Sequence, residues 1–120
     1  MKIQSYKDLV VWQKSIDLVC EIYKLTKFLP KEEAYGLCNQ MQRAAVSIAS
    51  NIAEGKARNY EKEFAKFLSI SKGSAAELET QLHICVCLNY VTEEQAKKAT
   101  DLIEEVFKML NSLISTVATN

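Results

Sequence analysis

Residues 42–58, QRAAVSIASNIAEGKAR, carry two different stripes on one helical segment, and reading them decides the fold. At about 100° per residue, Ala45, Ile48 and Ile52 fall on one side, continued upstream by Cys38 and Met41. Their spacing alternates between three and four, as the core of a helix bundle requires. Arg43, Ser47, Ser50, Asn51 and Glu54 fall on the opposite side. A solvated face usually carries long Lys and Glu side chains, whereas this one carries short hydroxyls and amides with one charge of each sign. The stripe has two readings, a solvated face and a polar contact between subunits. Its short side chains favour the contact, because they let backbones approach closely.

Working outward, Leu9, Trp12, Ile16, Val19, Tyr23 and Thr26 repeat the same spacing upstream. They predict a first helix over 6–28 with Trp12 in the core, opened by a Ser5–Asp8 capping box and stopped ahead of Pro30. Glu32 and Glu33 suit the positive start of a second helix, predicted over 32–55, with Gly55 as a left-handed closing residue or a continuation through Arg58. Asn59 reads as the N-cap of a third helix over 60–88, whose core face is Phe64, Phe67, Ser71, Ala75, Leu78, Leu82 and Cys85, widened by Leu68 and Ile70. Thr92 and Gln95 form a capping box for a fourth helix over 93–116, lined by Ala96, Ala99, Ile103, Val106, Leu110, Leu113 and Val117. Short links force sequence neighbours to lie antiparallel. The fold class is therefore all-α: a single domain over 1–120 that forms an antiparallel up-down-up-down four-helix bundle with left-handed heptad packing.

Composition narrows the function. The chain of 120 residues has three Gly and one Pro, too few breakers for an all-β protein, and its 15 basic and 15 acidic side chains cancel. Five Lys against three acids in residues 1–30 and three Lys against five acids in residues 91–120 make only a mild asymmetry. A dedicated nucleic-acid binder carries a strong basic excess, so a lone subunit is not expected to bind RNA tightly. No apolar run approaches the ~18 residues of a membrane span, which predicts a cytoplasmic protein without a membrane partner. Cys20, Cys38, Cys85 and Cys87 read as reduced, buried thiols, and Cys85 and Cys87 point too far apart on a helix to share a metal. His83 is the one histidine, no Ser or Cys has a base beside it, and Glu77 and Glu79 lie on different faces. The chain is thus read as no enzyme, with no cofactor, metal or small-molecule substrate.

Two further groups are candidate contacts. Gly73, Ser74 and Ala75, followed by Glu77, form a second small-residue patch, and a mid-helix glycine that costs about 1 kcal/mol against alanine suggests close packing at Gly73. Arg43 and Glu77 are a candidate buried or interfacial pair. The two patches, around Ser47 to Glu54 and around Gly73 to Glu77, suit a ring in which one surface meets an unlike surface on the neighbour; alternatively they meet each other within one subunit. Lys56, Arg58, Lys62 and Lys66 cluster at the second link, read either as a solvated end or as a phosphate-contacting rim, and Tyr60 beside them can stack on a base or cap the core.

Taken together, VWQKSIDLVCEIYKLT, YGLCNQMQRAAVSIASNIAEGKAR, FAKFLSISKGSAAELETQL and the following LNY resemble the family of four-helix-bundle proteins encoded in intervening sequences of bacterial 23S ribosomal RNA genes. The resemblance runs from about Leu9 to Tyr90, with helix four matching in its heptads alone. It implies an antiparallel bundle that assembles as a homopentamer. That family is in turn similar to the accessory protein of diversity-generating retroelements, a basic protein that engages nucleic acid and a reverse transcriptase, which implies RNA or an RNA-bound protein as a partner. Gln42 departs from the family, which commonly has a second arginine there, and so does the neutral charge. The reading is a non-enzymatic homo-oligomeric scaffold associated with RNA or a ribonucleoprotein; the alternative is a protein–protein adaptor without nucleic-acid binding.

Overall fold

The computed structural model describes residues 5–118. Among them the chain forms four α-helices: α1 (Val10–Leu25), α2 (Leu37–Ala57), α3 (Glu61–Cys87) and α4 (Glu93–Ala118). α2 packs against α1 and α3, and α4 against α3 and α1, the cyclic neighbour order of an up-down-up-down bundle.

The helix ends depart from the sequence reading for local reasons. Ser5 and Asp8 do form a capping box, the Ser5 hydroxyl accepting from the Lys7 amide (3.0 Å) and the Asp8 carboxylate from the Ser5 amide (3.2 Å). They cap a single 3-10 turn, Tyr6–Asp8, which extended Leu9 ends. α1 starts afresh at Val10 and tightens into a 3-10 turn over Thr26–Phe28. α2 begins at Leu37 rather than Glu32, because Lys31–Glu33 is a separate 3-10 turn. The Glu33 carboxylate leaves that turn to accept from the Leu37 amide (3.3 Å) and the Tyr90 hydroxyl (2.9 Å), tying the start of α2 to the α3–α4 link. Gly55 is not a left-handed closing residue, since no glycine has positive φ and α2 continues to Ala57. A Cβ on Gly55 would lie 2.6 Å from Cβ of Phe67, so glycine stands there to let α3 approach. Among the described residues the left-handed ones are Asn59 and Asn89, at φ 63° and 62°, and asparagine tolerates that region better than most L-residues. Asn59 therefore turns the chain, and Tyr60 takes the N-cap position that the sequence reading gave to Asn59. Thr92 and Gln95 cap α4 reciprocally as expected.

The core corrects one seam. α1 buries Val11, Ser15, Leu18, Ile22 and Leu25. Ile16 and Tyr23 are 36 % and 45 % exposed, and Trp12 and Val19 are half-buried, so Trp12 lies at the core's margin, edge-on to Tyr6 at 5.4 Å. Ser15 hid the true seam: its hydroxyl donates to the Val11 carbonyl (2.7 Å), which satisfies it locally and lets a polar residue stand fully buried. Lys14–Glu105 (3.3 Å) and Lys98–Glu21 (3.7 Å) hold α4 to one flank of α1. On the other flank Gln42 Nε2 donates to Thr26 Oγ1 of the α1 end (3.0 Å), a role that suits a short amide at this position. α2 keeps the seam read from sequence, with Met41, Ala45, Ile48 and Ile52 fully buried and Cys38 half-buried. On α3 Leu68 is central, Phe67 only half-buried and Ile70 44 % exposed. Ser71 donates to the Ile48 carbonyl of α2 (2.9 Å). α4 follows its seam, with Leu102 added and Leu113 half-buried.

The thiols are less buried than their apolar spacing suggested: Cys85 is buried and Cys38 partly so, while Cys20 and Cys87 are exposed. Burial, then Cys38 and Glu33, push the Cys85 thiol from 9.0 up to about 11. Burial, then Glu33, raise Cys38, and the Glu33 hydrogen bond raises Tyr90. All three favour their protonated forms in the fold but ionise at ordinary values once unfolded. For Cys85 that stabilisation is full below about pH 9 and lost as pH rises towards 11, and Cys38 and Tyr90 act in the same direction. The denaturation midpoint is expected to fall between pH 9 and 11, with Cys85 contributing about 2 kcal/mol of the loss. Cys85→Ala, less stable at pH 8, should show a shallower fall, and a flat wild-type profile would contradict the assignment.

Candidate assembly face

α2 and α3 meet over a polar seam. The Ser47 and Ser74 hydroxyls bond at 2.9 Å. Asn51 Nδ2 donates to the Ser47 carbonyl (2.8 Å) and hydroxyl (3.0 Å). The two small-residue patches thus adjoin within one subunit, which half-buries Ser47, Asn51 and Ser74 and leaves Arg43, Ser50, Glu54, Gly73 and Glu77 exposed beside them. Glu54 accepts from Arg58 at 2.9 Å. Arg43 and Glu77 line one groove without pairing with each other, and among the described residues neither has a polar partner. Nothing lies within 4 Å of a Cβ built on Gly73, so no close packing inside the subunit offsets its helix cost. Gly73→Ala is expected to stabilise the isolated subunit by about 1 kcal/mol, read as a higher denaturation midpoint; a lower one would show a contact at this position.

The same outward side carries a second run of three-four spacings. On α3 it is Ile70, Ser74, Glu77, Gln81, Ile84 and Leu88; on α2 it is Asn39, Arg43, Val46, Ser50 and Ala53. Val46, Ile70, Ile84 and Leu88 are 40–51 % exposed along it, and Tyr35, at its end, is 97 % exposed. Gln81 lies in the groove that Arg43 and Glu77 flank. It is only 6 % exposed, and its Oε1 is buried with no hydrogen-bond partner among the described residues. Such orphaned acceptors are rare in native interiors and need an explanation. Gln81 and Ile84 escaped the sequence reading, though counting a second seam on α3 would have found both. No sequence signal marks Tyr35.

The basic cluster divides in two. Lys56 Nζ stands 5.5 Å from the centroid of the Phe64 ring and the Arg58 guanidinium 4.9 Å from that of Phe67, so both cover the aromatic pair that packs on Gly55. Lys62 and Lys66 are exposed, with no ion-pair partner among the described residues. Tyr60 is 71 % exposed and does not cap the core. His83 is exposed in a different groove, between α3 and α4, with Glu79 and Lys97 on its margin. No helix among the described residues is long and apolar enough to cross a membrane.

A sequence model of the 23S rRNA-intervening sequence protein family matches residues 7–112. Among solved structures the chain is similar to a crystal structure from Bacteroides thetaiotaomicron VPI-5482, described as a protein with unknown function from the S23 ribosomal protein family. The two share 30 % sequence identity over 88 % of this chain and 98 % of that one, with a TM-score of 0.81. No curated protein matches the sequence.

Proposed function

The chain belongs to the 23S rRNA-intervening sequence protein family, and from that premise we propose that it is a non-enzymatic scaffold of the cytoplasm, assembled as a closed ring of copies through the outward face of α2 and α3. One observation carries the reading. This face combines half-exposed aliphatic side chains, short polar residues and the exposed charges of Arg43 and Glu77, a mixture suited to a packed partner and unusual for a solvated helix pair. The resemblance to pentameric bundles supplies the subunit number, five.

RNA or an RNA-bound protein is the partner this scaffold would carry. A single subunit offers few free cations for it, because Lys56 and Arg58 are engaged with aromatic rings and Glu54. Lys62 and Lys66 remain, and a ring multiplies them into one surface that a long ligand can span. Filter binding of a structured RNA should show affinity that falls with salt. A Lys62→Glu, Lys66→Glu double variant should weaken it across all sequences and flatten the salt slope, with helical content unchanged. No retention at low salt would remove RNA and leave the protein adaptor, which the neutral charge of the chain favours.

A further inference from the structure

We infer that the groove between α3 and α4 receives a basic amphipathic helix of a partner protein. The inference goes beyond the scaffold reading above and does not depend on a ring, because α3 uses different residues for the two surfaces. Glu79, Leu82, His83 and Val86 line the groove, whereas Ile70, Ser74, Glu77, Ile84 and Leu88 run along the outward face.

Shape suits a helix. The groove holds about 580 Å³, and its floor is apolar, formed by buried Leu82, Ala96 and Ile103 with half-buried Val86. On α4 it runs from Glu93 to Ile103, about 15 Å of helix or about three turns. A furrow between two helices is where the side-chain ridge of a third packs, and a docked helix fills it with anchors at i, i+3, i+4 and i+7.

Charge selects the partner. Glu79, Glu93 and Glu94 stand on the rim with no ion-pair partner among the described residues, and the one lysine of the rim, Lys97, is held by Asp101 at 3.1 Å. The chain as a whole is neutral, so this acidic excess is local. Glu93 and Glu94 favour the start of α4 and at the same time line the groove. A rim of carboxylates around an apolar floor repels phosphate and attracts Lys and Arg that flank an apolar anchor. A metal ion is a poorer occupant, since among the described residues no three His, Cys, Asp or Glu side chains converge to hold one. Lys62, of the proposed RNA surface, precedes His83 by about 30 Å along α3, so a nucleic acid there and a protein helix in the groove do not compete.

A labelled helical peptide with leucines at the i, i+3, i+4 and i+7 spacing and lysines elsewhere serves as the probe, read by fluorescence anisotropy. The wild-type protein should bind it with an affinity that falls as salt rises. A peptide with glutamates for the lysines should not bind, and one with serines for the leucines should bind at least about tenfold more weakly. Two variants place the site. Glu79→Lys reverses one exposed rim charge. Thr100→Phe fills the groove without altering charge, at a half-buried residue whose hydroxyl is already bonded to the Ala96 carbonyl (3.0 Å). Each should stay helical by circular dichroism and weaken binding about tenfold or more. Glu61→Lys makes the same charge change at the far end of α3 and should leave binding as it was. No binding by the wild type, or equal binding by wild type, Glu79→Lys and Thr100→Phe, would overturn the inference. So would equal binding of the serine peptide, or displacement of the probe by spermidine at comparable concentration, since either would show that the acids hold any polycation.

Discussion

Gly55→Leu is expected to destabilise the bundle more than any other single change at a glycine, by about 3 kcal/mol or more, equivalent to a fall of about 10 °C in the denaturation midpoint. The reason is backbone proximity. Even the first side-chain atom would stand 2.6 Å from Cβ of Phe67, and 3.2 Å from Cδ1 of Phe64. Cβ of Phe67 cannot swing aside without moving α3 itself, so the helices must separate, and the Ser71–Ile48 bond (2.9 Å) lies along the contact that would open. Gly55→Ala, which gains about 1 kcal/mol of helix propensity, should lose more than that gain. Circular dichroism melts of Gly55→Ala, Gly55→Leu and Gly73→Ala order the series. The two glycines should move in opposite directions, and a neutral Gly55→Ala would show that α2 and α3 are less closely packed than described.

Ser50→Arg is expected to abolish assembly while leaving the subunit helical. Ser50 is exposed on the outward side of α2, between Val46 and Ala53, so within one subunit a long charged side chain meets solvent and should cost within about 0.5 kcal/mol. In a close contact between copies the same side chain has no room, and taking its charge out of water costs several kcal/mol per contact. The loss repeats at every junction of a ring. Velocity sedimentation of the variant beside the wild type reads the outcome directly; an unchanged particle with normal melting would show that copies do not meet over Ser50.

How much of this was legible in the sequence varies by helix, and the variation has a physical origin. α2 was readable because its two sides differ in chemistry: aliphatic residues face the core, and Arg, Ser and Glu face outward. α4 was readable for the same reason. α1 was not, because both of its stripes are rich in apolar residues. The spacing of Trp12, Ile16, Val19 and Tyr23 reads as the stronger seam, while the buried one contains Ser15, whose hydroxyl is satisfied by the Val11 carbonyl. Periodicity detects an apolar stripe but does not say whether this subunit or a neighbour covers it. The start of α2 was misplaced because Glu33 bonds to Leu37 and Tyr90, the latter distant in sequence. Gly55 looked like a helix terminator because the Phe67 Cβ that leaves no room for a side chain there lies on the next helix. At the candidate face the hydroxyl and amide residues were found from their chemistry. Gln81 was missed because glutamine in a helix is ordinary until its oxygen is seen to be buried without a donor.

Sedimentation equilibrium of the unmodified protein at micromolar concentration tests the central claim most directly. Assembly through unlike faces into a closed ring predicts one species with the mass of five 13.6 kDa subunits, unchanged as concentration is varied about the micromolar range. A mass of one or two subunits would contradict it.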